Sequence, residues 1–231
     1  MANVSYNTSN MTITIDGADE VSKALGDLKS KTPAAVKVAI NATAREARKM
    51  MIAKAKARYA VNSAGQKHLK DLVQKKKATN TSLWATLHIS SFRNDLAYFK
   101  YSPQGVYTGR EAIARKGQTV SGKVLKESSL KPLTGSVNLS KGFVLEFKSG
   151  HVGMVQRIIG SDIGEKRTVK SGKPRWKTKD GRVEKLMTMG SPSATAMHNT
   201  IWPEVEPKVE DFLQKRLDEQ VEKVLARAGR I

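Results

Sequence analysis

The side chains that could carry out chemistry are few in this 231-residue chain, and their spacing matches no catalytic or metal-binding motif. Cysteine is absent, which excludes disulfide bonds and zinc sites built on thiolates. Two Gly-Lys pairs lack the upstream glycine that a phosphate-binding P-loop requires, and no serine lies in a Gly-x-Ser-x-Gly elbow. The four histidines have no metal-ligand spacing and are interpreted as surface or turn residues: His68, His88, His151 and His198.

The carboxylates within the basic middle of the chain are too dispersed to indicate a metal-dependent nuclease site, which needs clustered ligands. Those considered as ligands are Asp95, Glu111, Glu146, Asp162 and Glu165. We therefore predict that the protein is not an enzyme. We expect no catalytic residue, no metal site and no cofactor.

The distribution of charge is the most informative property of the sequence. Residues 1–36 and 203–231 each carry a net charge of −1, whereas residues 37–202 contain 32 basic and 10 acidic residues. The formal net charge of +20 therefore arises entirely from the middle of the chain. An excess of this size favours nucleic acid, anionic lipid or an acidic protein as a partner.

The segment 166–182 is the strongest candidate for contact with a polyanion. It combines eight basic residues with one tryptophan and two glycines, and we expect it to bind phosphates without reading sequence. The alternative is a solvated loop that its charge keeps soluble. The candidate residues facing DNA, or the lumen of a ring, are Lys166, Arg167, Lys170, Lys173, Arg175, Lys177, Lys179 and Arg182.

The periodicity of apolar residues predicts an α+β fold in which an antiparallel sheet packs against a long N-terminal helix and a C-terminal amphipathic helix, with extended basic loops. Predicted helices span about 33–60 and 204–228, with shorter ones after Asp19, over 63–77 and over 194–201, and Trp202-Pro203 separating the last two. Predicted strands span 11–15, 83–89, 96–101 and 183–189, with a hairpin over 143–158 whose turn contains Ser149-Gly150.

The domain prediction is a polar N-terminal tail over 1–10 and one α+β domain over 11–231. Two glycine-rich stretches with few apolar residues are expected to leave the core as excursions, at about 102–140 and 160–182. The expected core packs both long helices onto the hairpin strands. Its residues are Val36, Ile40, Met51, Phe143, Leu145, Phe147, Phe212 and Leu217.

The hairpin and the C-terminal third carry a resemblance to a known family. The hairpin reads FVLEFKSGHVGMVQR over 143–157; a basic stretch follows it, and then comes LMTMGSPSATAM over 186–197. With the terminal amphipathic helix and the Ala39-Ile40-Asn41 step of the long helix, this order resembles the minor tail protein Z family of tailed bacteriophages and the wider group of phage tail-completion proteins. The resemblance covers about 11–60 and 140–228; residues 61–139 match nothing in the family pattern.

The resemblance implies a structural, non-enzymatic virion component, made in the host cytoplasm and located at the head–tail junction. It implies a homo-oligomeric ring around the DNA channel, with six-fold symmetry expected by analogy with neighbouring tail rings. The implied partners are the tail terminator and the neck or connector proteins, with non-specific contact to phage DNA. Since the N-terminus is polar and no apolar run reaches the ~20 residues of a membrane span, we expect no membrane partner. The alternative function is a sequence-nonspecific nucleic-acid-binding module.

Overall fold

The computed structural model describes residues 3–7, 12–16, 18–70, 73–89, 94–108, 119–161 and 184–229. The fold is α+β, as predicted. The helices are α1 (Ala18–Leu25), α2 (Thr32–Arg58), α3 (Ser63–Leu69) and α4 (Ala194–Arg227), with short 3-10 helices at Gly26–Lys31 and Leu96–Tyr98. The strands are β1 (Asn3–Asn7), β2 (Thr12–Asp16), β3 (Val73–Lys76), β4 (Ala85–His88), β5 (Asn94–Asp95), β6 (Lys100–Ser102), β7 (Tyr107–Thr108), β8 (Ser121–Lys123), β9 (Lys131–Pro132), β10 (Phe143–Glu146), β11 (Val152–Arg157), β12 (Leu186–Thr188) and β13 (Gly190–Ser191).

The chain divides into two compact units where the sequence analysis expected one domain. The first, here called the helical unit, comprises Met1–Ala57, Lys67–Phe92 and Pro192–Ile231. The second, here called the sheet unit, comprises Arg58–Gln66 and Arg93–Ser191. The expected core is accordingly split. Val36, Ile40, Met51 and Leu217 are buried in the helical unit and Phe212 is half-buried there, whereas Phe143, Leu145 and Phe147 pack in a cluster of the sheet unit.

The helical unit contains a four-stranded antiparallel sheet in the order β1-β2-β4-β3. Residues 3–7 of the expected polar tail form its edge strand β1, because Val4 and Tyr6 alternate with polar residues. Val4 is buried, and the Tyr6 ring stacks on Trp202 of α4 with 5.2 Å between centroids. The Tyr6 hydroxyl donates a hydrogen bond to Asn199, and burial together with Glu206 raises the pKa of Tyr6 to about 12.

The long helix α2 confirms the helix predicted over 33–60. Its ten buried residues recur at three- and four-residue steps, and half of them are alanine, which allows close packing. The helix predicted over 63–77 is only partly correct, since α3 ends at Leu69 and residues 73–76 form β3. Pairing with β4 gives this stretch backbone partners that its helical spacing did not reveal.

The C-terminal helix α4 is continuous from Ala194 to Arg227, so the predicted break at Trp202-Pro203 is wrong. Pro203 and Pro207 lie inside the helix with their side chains exposed. An interior proline removes one backbone hydrogen bond and costs about 3 kcal/mol. Burial of Trp202 and Val205, on either side of Pro203, offsets this and holds both halves of the helix on one apolar face.

The sheet unit contains a four-stranded sheet in the order β12-β11-β10-β7 and a three-stranded sheet in the order β6-β8-β9. The predicted hairpin is confirmed as β10 and β11, which pair antiparallel from Phe143↔Val155 to Glu146↔Val152. Gly150 lies in its turn with a φ of 77°, a left-handed conformation that glycine adopts without strain. In the larger sheet, β7 pairs parallel to β10.

The two expected excursions have different outcomes. Residues 119–140 of the first contain β8 and β9, and Val120 is buried in a cluster with Tyr101, Val144 and Met154, so this part belongs to the sheet unit. Residues 102–108 are also described and contain the end of β6 and strand β7, whereas residues 109–118, and almost all of the second excursion, lie outside the described residues. Of the strand predicted over 96–101, the first half is a 3-10 helix, because the Asp95 side chain accepts the Ala97 N–H and caps it.

Replacing Ile40 by Asp should prevent the helical unit from folding. Ile40 is completely buried, so an unpaired carboxylate would be held away from water at a cost of several kcal/mol. The matched control is Val38→Asp, since Val38 lies two residues earlier on α2 and is 48% exposed. Thermal unfolding followed by circular dichroism should show a folded control and an unfolded Ile40→Asp variant. Equal melting temperatures would contradict the assignment of this helix face.

Acid should destabilise the helical unit through His198. The interpretation of His198 as a surface or turn residue is wrong, because its side chain is fully buried on the apolar face of α4. Burial lowers its pKa to about 4, with a smaller opposing effect from the Leu69 backbone. Between pH 6.5 and 4 the unfolded state binds a proton that the folded state does not, so stability falls as the pH falls through this window, by about 3 kcal/mol in all. His198→Phe should lose this part of the pH dependence. Denaturant midpoints at pH 7 and pH 5 measure it, and an unchanged difference would contradict the prediction.

Candidate functional site

The eight basic residues predicted to face DNA all lie outside the described residues, so their arrangement stays a prediction. The structure does describe the residues that flank their segment, as far as Ser161 and again from Glu184. The Ile158 N–H donates to the Lys185 carbonyl at 2.9 Å, and the Lys185 N–H donates to Ser161 Oγ at 2.9 Å. Strands β11 and β12 pair antiparallel directly beside these bonds. The described residues on either side of the basic segment, Ser161 and Lys185, therefore lie next to one another at an edge of the four-stranded sheet.

Arg157 adds positive charge at the base of this segment. Its guanidinium lies 5.1 Å from the centroid of the Phe143 ring, a cation–π contact. Its backbone is held by Ser140, whose N–H donates to the Arg157 carbonyl and whose Oγ accepts the Arg157 N–H. Burial lowers the pKa of Arg157, and the charge of Glu184 opposes this shift. Since arginine starts from a very high pKa, the side chain remains charged at neutral pH.

A second group of basic residues, which the sequence analysis did not single out, lies on the three-stranded sheet. Lys100 of β6 is the register partner of Lys123 of β8. Each lysine is separated by one residue from a serine in its own strand, in the order Lys-x-Ser in β6 and Ser-x-Lys in β8. The alternation of polar residues is visible in the sequence. The pairing that brings the two lysines together depends on strand register, which the sequence does not reveal.

A buried carboxylate organises the other end of the hairpin. Asp95 Oδ1 accepts the backbone N–H groups of Ala97 at 2.9 Å and Met154 at 3.0 Å. Its Oδ2 lies 3.2 Å from His151 Nε2. Because the Asp95 side chain is only 4% exposed, these three donors replace the water that an ionised carboxylate would otherwise bind.

His151 connects Asp95 to a tyrosine and an aromatic ring. Its Nδ1 lies 3.4 Å from the Tyr98 hydroxyl, and its ring stacks on Phe147 with 5.7 Å between centroids. Burial, followed by the charge of Asp95, raises the pKa of Tyr98, which keeps the phenol neutral and able to donate to Nδ1. A Cβ on Gly153 would come within 2.8 Å of Asp95 Oδ2, so glycine is required where β11 passes the carboxylate.

The order of carboxylate, imidazole and hydroxyl is the order found in nucleophilic triads. Here, however, the hydroxyl is a phenol whose pKa is raised, which opposes its activation as a nucleophile. The carboxylate also binds two backbone N–H groups that tie β5, the 3-10 helix and β11 together. We interpret the network as a set of contacts that stabilises the hairpin. The absence of an enzymatic activity stays a prediction.

Other kinds of site receive no support from the described part of the chain. Within it, no three His, Asp or Glu side chains come together as a group that could hold a metal ion. None of the helices described here has the length and apolar character needed to cross a membrane. In comparisons with known proteins, no family model, no curated protein and no solved structure matches the chain. We therefore infer the function from the residues of this chain itself.

Replacing Asp95 by Ala should destabilise the sheet unit by about 3 kcal/mol. The substitution leaves the N–H groups of Ala97 and Met154 buried without an acceptor, and each such group costs about 1–3 kcal/mol. The matched control is Glu146→Ala, which removes an exposed carboxylate from neighbouring β10. Hydrogen exchange of the β10 and β11 amides should accelerate in the first variant and remain unchanged in the second. Equal exchange in both would show that the Asp95 network does not hold the hairpin.

Proposed function

We propose that the protein is a structural virion component of a tailed bacteriophage. It acts as a tail-completion or neck subunit in a ring at the head-proximal end of the tail, around the DNA channel. In this role the subunit performs no catalysis. Its elements supply subunit contacts and place basic segments where the genome passes.

The observation that carries this proposal is the order of elements after residue 143. A hairpin, β10–β11, is followed along the chain by the basic segment, then by the short strand β12 and the long helix α4. The same order, with similar residues in the turn and before α4, underlies the resemblance to the tail protein Z and tail-completion families. Along the chain, the basic segment thus lies between two strands, β11 and β12, that pair with each other.

The distribution of charge between the two units supports the same role. The sheet unit contains 21 basic and 8 acidic residues, a net charge of +13, whereas the helical unit carries the remaining +7 over a longer stretch of chain. A subunit of a ring around DNA needs positive charge on one part, for the phosphates, and less charged surfaces elsewhere for its neighbours. Contacts of this kind act on the DNA backbone and do not select a sequence.

The competing function is a sequence-nonspecific nucleic-acid-binding module. The positive charge of the sheet unit supports this function equally well. The two differ in assembly, because a tail subunit must associate with copies of itself and with neck proteins. Size-exclusion chromatography with light scattering separates them. A defined ring-sized oligomer that persists at high salt supports the tail subunit, whereas a small species whose size depends on salt supports the binding module.

Replacing Lys173, Arg175, Lys177 and Lys179 by Gln should weaken non-specific DNA binding and leave folding and assembly unchanged. For each phosphate group that the variant no longer neutralises, the log–log dependence of affinity on salt should become shallower by about 0.9. In virions, tails should form at normal length while DNA is poorly placed or retained at the head–tail junction. A suitable control is the same number of substitutions on exposed positions of α4, at Lys208, Lys215, Lys223 and Arg227.

The opposite pattern would contradict the DNA-facing assignment. If the loop variant assembles poorly and binds DNA as the unmodified protein does, the segment docks onto an acidic protein neighbour. If virions carrying the variant retain DNA normally, the segment has no role at the channel.

A further inference from the structure

The outer face of the β6–β8 pair has an unusual composition. Register places Lys100 opposite Lys123 and Ser102 opposite Ser121, so all four side chains lie on one face. Lys100 and Ser102 are exposed, and the other two are half-buried. The face therefore offers two ammonium groups and two hydroxyl groups, and these four residues include no carboxylate. We call them the lysine–serine face.

The opposite face of the same strands is covered by the core of the sheet unit. Tyr101 is the register partner of Gly122, and both are buried. A Cβ on Gly122 would lie 3.4 Å from Leu96 and 3.7 Å from Met154, which shows how closely the core approaches this strand. A slip of one residue between β6 and β8 would move the lysines into the core and the buried residues to the surface. Because the core occupies this side, the register of the two strands is fixed.

Two lysines directly opposite each other on neighbouring strands repel one another, which destabilises a sheet. Among the described residues, neither lysine forms an ion pair. The repulsion is relieved when an anion binds between the two ammonium groups. An anionic ligand at this place would neutralise positive charge that no carboxylate among the described residues pairs with.

The backbone of the next residues holds one of these ammonium groups in place. Lys123 Nζ donates a hydrogen bond to the Lys126 carbonyl at 2.7 Å. The Lys126 N–H donates to the Arg58 carbonyl at 3.0 Å, which fixes this turn against the segment that begins at Arg58. A carbonyl orients an ammonium group without neutralising it, and Lys123 keeps two further N–H donors for a ligand.

We propose that the lysine–serine face, together with Lys126, is a contact surface for the phosphate backbone of double-stranded DNA. Ammonium and hydroxyl groups are the donors that proteins use for phosphate contacts. The only aromatic side chain in these strands, Tyr101, packs in the core, so the face has no ring on which a base could stack. The surface therefore binds the backbone without reading sequence. This inference goes beyond the proposed function, because it rests on residues outside the 166–182 segment and requires neither a ring nor a phage.

The test compares two variants with the same change in net charge. The first replaces Lys100, Lys123 and Lys126 by Gln, and the second replaces Lys208, Lys215 and Lys223, which are exposed on α4. Binding to a random-sequence duplex is measured by fluorescence anisotropy across a range of KCl concentrations. The first variant should lose about tenfold or more in affinity at physiological salt, with a salt slope shallower by about two to three, and the second should keep the original slope. Circular dichroism checks that both are folded.

A second measurement locates the contact without any substitution. Lysine acetylation followed by mass spectrometry, with and without the duplex, should show protection of Lys100 and Lys123 and no protection of Lys208. Equal loss of affinity in both variants, or equal acetylation with and without DNA, would overturn the inference. DNA binding would then depend on the net charge of the protein and not on this face. If the first variant binds DNA normally while failing to bind an acidic protein, the partner is a protein and the inference is likewise overturned.

These outcomes are separable from those that concern the proposed function. Failure of the lysine–serine face leaves the role of the 166–182 segment and the ring untouched. Conversely, DNA binding through this face in a protein that forms no ring and is absent from virions would overturn the proposed function and support the present inference.

Discussion

Lysine-rich segments bury too little apolar surface to order themselves, so paired strands on either side have to hold them in position. This constraint shapes the whole sheet unit. Strands β11 and β12 precede and follow the most basic segment along the chain, and β6 and β8 place two lysines opposite each other. The positive charge is therefore carried by a framework whose own interior is apolar, with Phe143 and Val155 in one cluster and Val144 and Met154 in another.

Asp95 adds polar contacts to the apolar interior of the sheet unit. It accepts N–H groups from the 3-10 helix that follows it and from Met154 of β11, which lies 59 residues further along the chain. Its third partner, His151, lies at the end of the hairpin turn, so turn, strand and helix are tied to one carboxylate. The arrangement serves rigidity, since a buried carboxylate with three donors has little freedom to change partners.

The sequence predicted those elements whose signals are local. The alternation over 143–158 identified the hairpin, and the apolar spacing of α2 identified the long helix. It failed where tertiary contacts override local preference. Residues 3–7 were not predicted as a strand because most of them are polar, yet Val4 and Tyr6 hold β1 in place through burial and ring stacking. Pro203 indicated a helix break, but the buried residues on both sides of it keep α4 continuous. The lysine–serine face could not be predicted, because it exists only once the register of β6 against β8 is known.

In the proposed function, the positive charge of the sheet unit meets DNA at the head–tail junction of a phage particle. The most direct measurement is protein–DNA photocross-linking in intact virions, followed by mass spectrometry of the cross-linked peptides. We expect cross-links within residues 93–191, concentrated in the basic segment and on β6 and β8. Cross-links confined to the helical unit, or a protein that forms none inside the particle, would contradict it.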